Sequence, residues 1–152
     1  VSARFGSGWT ASTDSLMGGK SRAELSTVDG GAEGSARALK IEGEISETGS
    51  IRWASALFSP GRAPFTPANL SSKKALSFWA RGEGKTFAVM IYAQSSGFIP
   101  KIAFFPAGPE WKEVVLPFEK IGLEGFDILG IAIGATTAPG PFWLEIDDVR
   151  LK

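Results

Sequence analysis

Two stretches, Gly19-Lys20-Ser21 and Gly84-Lys85-Thr86, end as a phosphate-binding loop ends. Such a loop needs a further glycine five residues before the last one, and it needs a helix N-terminus to receive the anion. The required positions hold Asp14 and Trp79, and both stretches lead into strand-like sequence. They read as turns. Ser71-x-x-Lys74 has the spacing of a serine–lysine nucleophile pair, but that chemistry needs both residues on one helix face, and Lys74 opens an expected strand. Asn69-Leu70-Ser71 has the form of a glycosylation acceptor.

Cysteine and histidine are both absent. Thiolate nucleophiles, imidazole bases and the usual zinc sites therefore drop out, leaving carboxylates, lysine, hydroxyls and Tyr92. Among the acids, Glu145 stands beside Trp143, and its period-2 position reads as outward-facing. The adjacent pair Asp147-Asp148 could contribute to a calcium site, but calcium takes six to eight oxygens. A bulge at a sheet edge accounts for the pair more simply. No catalytic residue, metal ligand or cofactor is assigned.

These residues must be positioned by short elements. The chain has 152 residues, of which 43% are apolar and 21% charged, with 19 glycines and 9 prolines punctuating runs rich in Val, Ile, Phe and Trp. That pattern predicts an all-β sandwich. Strands are expected near 21–26, 37–45, 51–58, 74–81, 86–93, 99–105, 111–116, 128–134 and 142–151, with a short helical candidate at 118–124 weakened by Gly122. With no repeat or linker, the whole of 1–152 reads as one β-sandwich domain. Its start at Val1 suggests a processed product or a fragment of a longer protein. Sixteen basic residues balance sixteen acidic ones, so no broad positive field points to nucleic acid or an anionic surface. No apolar run reaches the length of a membrane span.

The stretch "KALSFWARGEGKTFAVMIYA" (74–93) alternates on both sides of Gly82-Glu83-Gly84-Lys85. If that turn closes a hairpin, Trp79 faces Ala88 and Ser77 faces Met90. One face is then core: Leu76, Phe78, Ala80, Phe87, Val89 and Ile91. The other carries Trp79, Arg81, Met90 and Tyr92, a mixed aromatic and polar surface that is the expected ligand-binding site. The closing segment, "GPFWLEIDDVRLK", shifts phase between Ile146 and Val149, which places a bulge at Asp147-Asp148.

Five motifs then stand in order. They are Asp14-x-x-Met17-Gly18-Gly19-x-Ser21, "GSIRWAS" (49–55), "LSFWARGEGKTF" (76–87), "EWKEVVLPF" (110–118) and "LEIDDVRL" (144–151). Together they resemble the complex I intermediate-associated protein family. One departure is Gly49-Ser50-Ile51, where the family often has Gly-Gly-Phe. The resemblance implies a galactose-binding-domain-like jelly roll, similar in architecture to many carbohydrate-binding modules. Its members include a mitochondrial assembly factor for respiratory complex I and bacterial domains, some attached to enzymes. Residue by residue, the opening motif reads as a corner. Asp14 accepts backbone N–H groups, Met17 anchors the loop beneath it, Gly18-Gly19 allow the turn, and Ser21 satisfies a loose backbone group.

The function expected is non-covalent binding without catalysis. The principal reading is contact with a protein partner or a domain of the parent chain; the alternative is a carbohydrate-binding module attached to an enzyme. Neither nucleic acid nor membrane insertion enters it.

Overall fold

The computed structural model describes residues 1–152 other than 2, 4, 5, 98 and 137. Ten strands run in the order β1 (Trp9–Thr13), β2 (Arg22–Asp29), β3 (Arg37–Ile45), β4 (Ala54–Phe58), β5 (Ala75–Gly82), β6 (Lys85–Ala93), β7 (Lys101–Ala107), β8 (Lys112–Pro117), β9 (Ile128–Ala135) and β10 (Gly140–Leu151). They form two five-stranded sheets. The first has the order β1-β4-β9-β6-β7 and the second β2-β3-β10-β5-β8, with every pairing antiparallel. The result is a β-sandwich jelly roll, and no α-helix occurs among the described residues. The strand at Trp9–Thr13 was not anticipated, because its sequence, WTAST, carries one large apolar side chain in five. At 118–124 the chain makes one tight turn, Phe118–Ile121, and leaves it at Gly122.

Period-2 alternation builds the interior. Leu76, Phe78 and Ala80 on β5 and Phe87, Val89 and Ile91 on β6 are all buried, as expected. The partners of the two strands differ from expectation. β5 pairs with β10 and β8, whereas β6 pairs with β9 and β7. The segment 74–93 is therefore not a hairpin: it crosses from one sheet to the other. Alternation fixes which side chains point inward but not which sheet a strand joins, so both arrangements satisfy the pattern. The crossing is tight at Gly82, where an added Cβ would lie 3.0 Å from the Phe87 ring and 3.2 Å from the Ala107 carbonyl oxygen. Across the interior, Phe78 of one sheet meets Phe105 of the other edge-on, with ring centroids 5.2 Å apart.

The bulge in β10 is present. Its register against β5 shifts between Asp147 and Arg150, and Asp148 has φ 50°. Asp147 turns its carboxylate to the Ala32 N–H, which donates across 2.9 Å, and Val149 and Leu151 return to the core side.

The Asp14 corner ties three segments together. Asp14 is buried and accepts from the Ser21 N–H (3.0 Å), the Ser21 hydroxyl (2.6 Å) and the Trp53 N–H (3.2 Å). Ser21 in turn accepts from the Ser46 N–H at 2.9 Å. A Cβ at residue 19 would sit 2.2 Å from the Asp14 carboxylate, so only glycine fits there. Met17 departs from expectation. It is 68% exposed and Leu16 beside it 80%, so neither anchors the loop from below.

Removing the carboxylate leaves three donors without their acceptor, two of them in buried hydrogen bonds. Asp14→Ala should therefore lose about 3 kcal/mol of stability, or roughly 6–12 °C in melting temperature, while Lys20→Ala on the exposed neighbour leaves the thermal melt unchanged.

Candidate functional site

The sheet crossing splits the four residues expected to share a face. Trp79 and Arg81 lie on the outer face of the β2-β3-β10-β5-β8 sheet, and Met90 and Tyr92 on the outer face of the other. The two outer faces differ in chemistry.

On the β1-β4-β9-β6-β7 sheet, Ser12, Ser55, Gly134, Ala88 and Phe104 lie side by side across the five strands. Two residues along, Thr10, Leu57, Ala132, Met90 and Ile102 form a second row, and Tyr92 lies beside Gly130. None of these side chains carries a charge. The centre is low because β9 presents Gly130, Ala132 and Gly134 outward. Ser55, Ala88, Ala132 and Met90 are buried within the rows, Leu57 is half-buried, and the exposed apolar members are Phe104 (60% exposed) and Ile102 (46%) on the edge strand. The Phe65 ring closes one end, its centroid 6.0 Å from that of Tyr92. Sequence reading missed Phe104 and Ile102, although the run Lys101-Ile102-Ala103-Phe104-Phe105 puts apolar residues on both faces of one strand, and that double coverage was the available signal.

The opposite face is laced with ion pairs. Ser26, Lys40, Glu145 and Arg81 form one cross-strand row, and Glu24, Glu42 and Trp143 another. Arg81 Nε donates to Glu145 at 2.5 Å, and the Arg81 guanidinium lies 5.0 Å from the centre of the Trp111 ring. Lys40 pairs with Glu42 at 3.3 Å and Arg22 with Glu44 at 3.4 Å. Exposed pairs of this kind contribute little to stability. Glu145 alternates outward as expected, yet its partner and its neighbours keep it buried. Trp79 stands between Asp147 and Glu113 on adjacent strands.

Both phosphate-loop endings are occupied structurally. Ser21 belongs to the Asp14 corner, while Lys85 donates to the Pro141 carbonyl at 2.6 Å and pairs with Glu83 at 3.3 Å. Ser71 donates its hydroxyl to Asn69 Oδ1 at 2.6 Å. Among the described residues, no group of three or more acids is placed to hold a metal ion. Among the described residues, no helix is long and apolar enough to cross a membrane.

Layering, strand order and the two outer faces define a jelly roll of the galactose-binding-like class. Solved structures agree. The chain is similar to the family 11 carbohydrate-binding module of the cellulosomal cellulase Lic26A-Cel5E of Clostridium thermocellum (TM-score 0.66, 15% identity, 94% of this chain and 86% of that one). It is similar to a family 11 module from the same organism in complex with a β-1,3-1,4-mixed-linked tetrasaccharide (TM-score 0.64, 14% identity, 94% and 87%). A family 30 carbohydrate-binding module is also similar (TM-score 0.66, 14% identity, 88% and 92%). No curated protein matches the chain in sequence. The family model described as complex I intermediate-associated protein 30 matches residues 2–124, and the chain belongs to that family.

Tyr92, the single tyrosine of the chain, reports on the uncharged face. Burial raises its pKa above the ordinary phenol value. A phenol whose pKa is raised on folding adds stability that is complete below the unfolded value, about pH 10, and is lost as pH climbs through the folded value. Phenolate absorbance should therefore appear at higher pH in the folded protein than in urea, and stability should decline above about pH 10.

Proposed function

We propose that this chain is a non-catalytic binding module that docks an apolar protein surface against the outer face of the β1-β4-β9-β6-β7 sheet. The observation that carries the reading is the contrast in charge. Ten residues in two cross-strand rows carry no charge on one face, while the other is covered by paired acids and bases. The uncharged face has its exposed apolar area at Ile102 and Phe104 on the edge strand and at Phe65 beside Tyr92; clustered exposed apolar side chains mark interaction sites, and depletion of charge characterises the centre of protein interfaces. Tyr92, Ile102 and Phe104 are the contact residues of this proposal, and Met90, which is buried, supports the face without reaching a partner.

The area helps to choose the partner. Five strands spaced about 4.8 Å apart, with about five residues each at about 3.4 Å, span on the order of 400 Å², an upper bound on the accessible area because Ser55, Ala88, Met90 and Ala132 are buried. Free-standing stable complexes bury about 800 Å² on each partner. Contacts between domains of one polypeptide bury about 300–750 Å² on each side. The face therefore suits a transient protein partner or a domain tethered in the same chain, whose effective concentration compensates for the small area.

A photo-crosslinking residue at position 104, in the protein expressed in its own cells, should capture one discrete protein surface, whereas the same residue at position 42 on the charged face should not. Phe104→Asp should abolish capture by a crosslinker at position 102 while changing stability by no more than about 0.5 kcal/mol, as expected for an exposed substitution. Equal capture from both faces, or none from either, contradicts the reading.

A further inference from the structure

A depression of 320 Å³ opens on the charged face, at the end of the sheet where β5 leaves it through Glu83. The half-buried Trp143 lines it together with Gly43, Pro141 and Phe142. Its polar rim is formed by Arg22, Glu24, Glu42 and Glu83. The volume lies at the low end of the range for small-ligand sites, about 300–1,000 Å³. The rim carboxylates are not a bare acidic cluster. Glu42 is countered by Lys40 and Glu83 by Lys85, and Arg22 reaches Glu44. The surroundings are thus close to electrically balanced, which gives a lone cation or anion little preference. They combine a flat apolar platform with hydrogen-bond acceptors on two sides and a guanidinium donor on the rim.

We propose that this depression binds one pyranose unit of a neutral polysaccharide. The C–H face of a sugar ring is apolar and flat enough to lie against the indole. Its hydroxyls donate to Glu24 and Glu42 and accept from Arg22, and bonds to ionised groups are the stronger kind. Ionic partners weaken rim charges only slightly in water, so these side chains are free to turn to hydroxyls when a ring enters. The site is separate from the uncharged face and does not depend on the protein-docking proposal. It would give the module two binding surfaces of different chemistry on opposite sides.

Native gels containing mixed-linked β-1,3-1,4-glucan, β-1,4-galactan or mannan test it. The protein should be retarded by at least one of these polymers. Trp143→Ala should weaken retardation at least about tenfold, with Trp143→Phe retaining part of it. Glu42→Gln, an exposed substitution that leaves the fold intact, should weaken it about fivefold. Thermal melts of each variant identify any loss that comes from unfolding. Absence of retardation in all three gels overturns the proposal. So does unchanged retardation of folded Trp143→Ala, or loss of retardation in Phe104→Ala, which would place the sugar on the other face.

Discussion

The contact of Phe78 with Phe105, ring centroids 5.2 Å apart across the interior, is the constraint from which the outer surface follows. It joins β5 of one sheet to β7 of the other. Because Phe87 also packs on Phe105, at 6.1 Å, the inward rows of β5 and β6 face one another through the core instead of lying side by side in one sheet. Each strand has only two faces. Once Leu76, Phe78 and Ala80 point inward from one side and Phe87, Val89 and Ile91 from the other, Trp79 and Arg81 must point away from Met90 and Tyr92. The chain folds by burying these rows, and that burial separates its two outer surfaces.

The two surfaces then follow from composition strand by strand. β4, β6, β7 and β9 carry small, aliphatic or aromatic residues on their outward side, so their shared face is uncharged. β2, β3 and β10 place Arg, Glu and Lys at alternate outward positions, and cross-strand registry brings opposite signs together, as in Glu145 with Lys40 and Arg81. The Asp14 corner supports both surfaces. It links the end of β1 to the start of β2 and to the segment entering β4, with one carboxylate serving two strands of one sheet and one of the other.

Much of this was legible in the sequence where one residue type had one physical solution. The core rows, nine of the ten strand locations, the bulge at Asp147-Asp148 and the structural role of Asp14 all follow from alternation or from the cost of a buried carboxylate. Family membership was legible from the ordered motifs and agrees with the match over residues 2–124. What alternation does not encode is the sheet to which a strand belongs. The Gly82–Lys85 turn suits a hairpin and a crossing alike, and choosing the hairpin merged two faces into one. Met17 misled for a related reason: an apolar side chain in a corner reads as an anchor, but whether the corner turns it inward depends on long-range geometry. Phe104 was overlooked because its neighbour Phe105 accounts for the strand's burial by itself.

The separation of the two faces can be measured directly. The chain contains no cysteine, so a cysteine at Trp79 and another at Thr86 carry a pair of spin labels without interference. On opposite sheets stacked about 10 Å apart, with side chains and labels pointing outward, the labels should be more than about 20 Å apart by dipolar spectroscopy. A distance below about 12 Å, as for diagonal neighbours in one sheet, would return Trp79, Arg81, Met90 and Tyr92 to a single face and contradict the account.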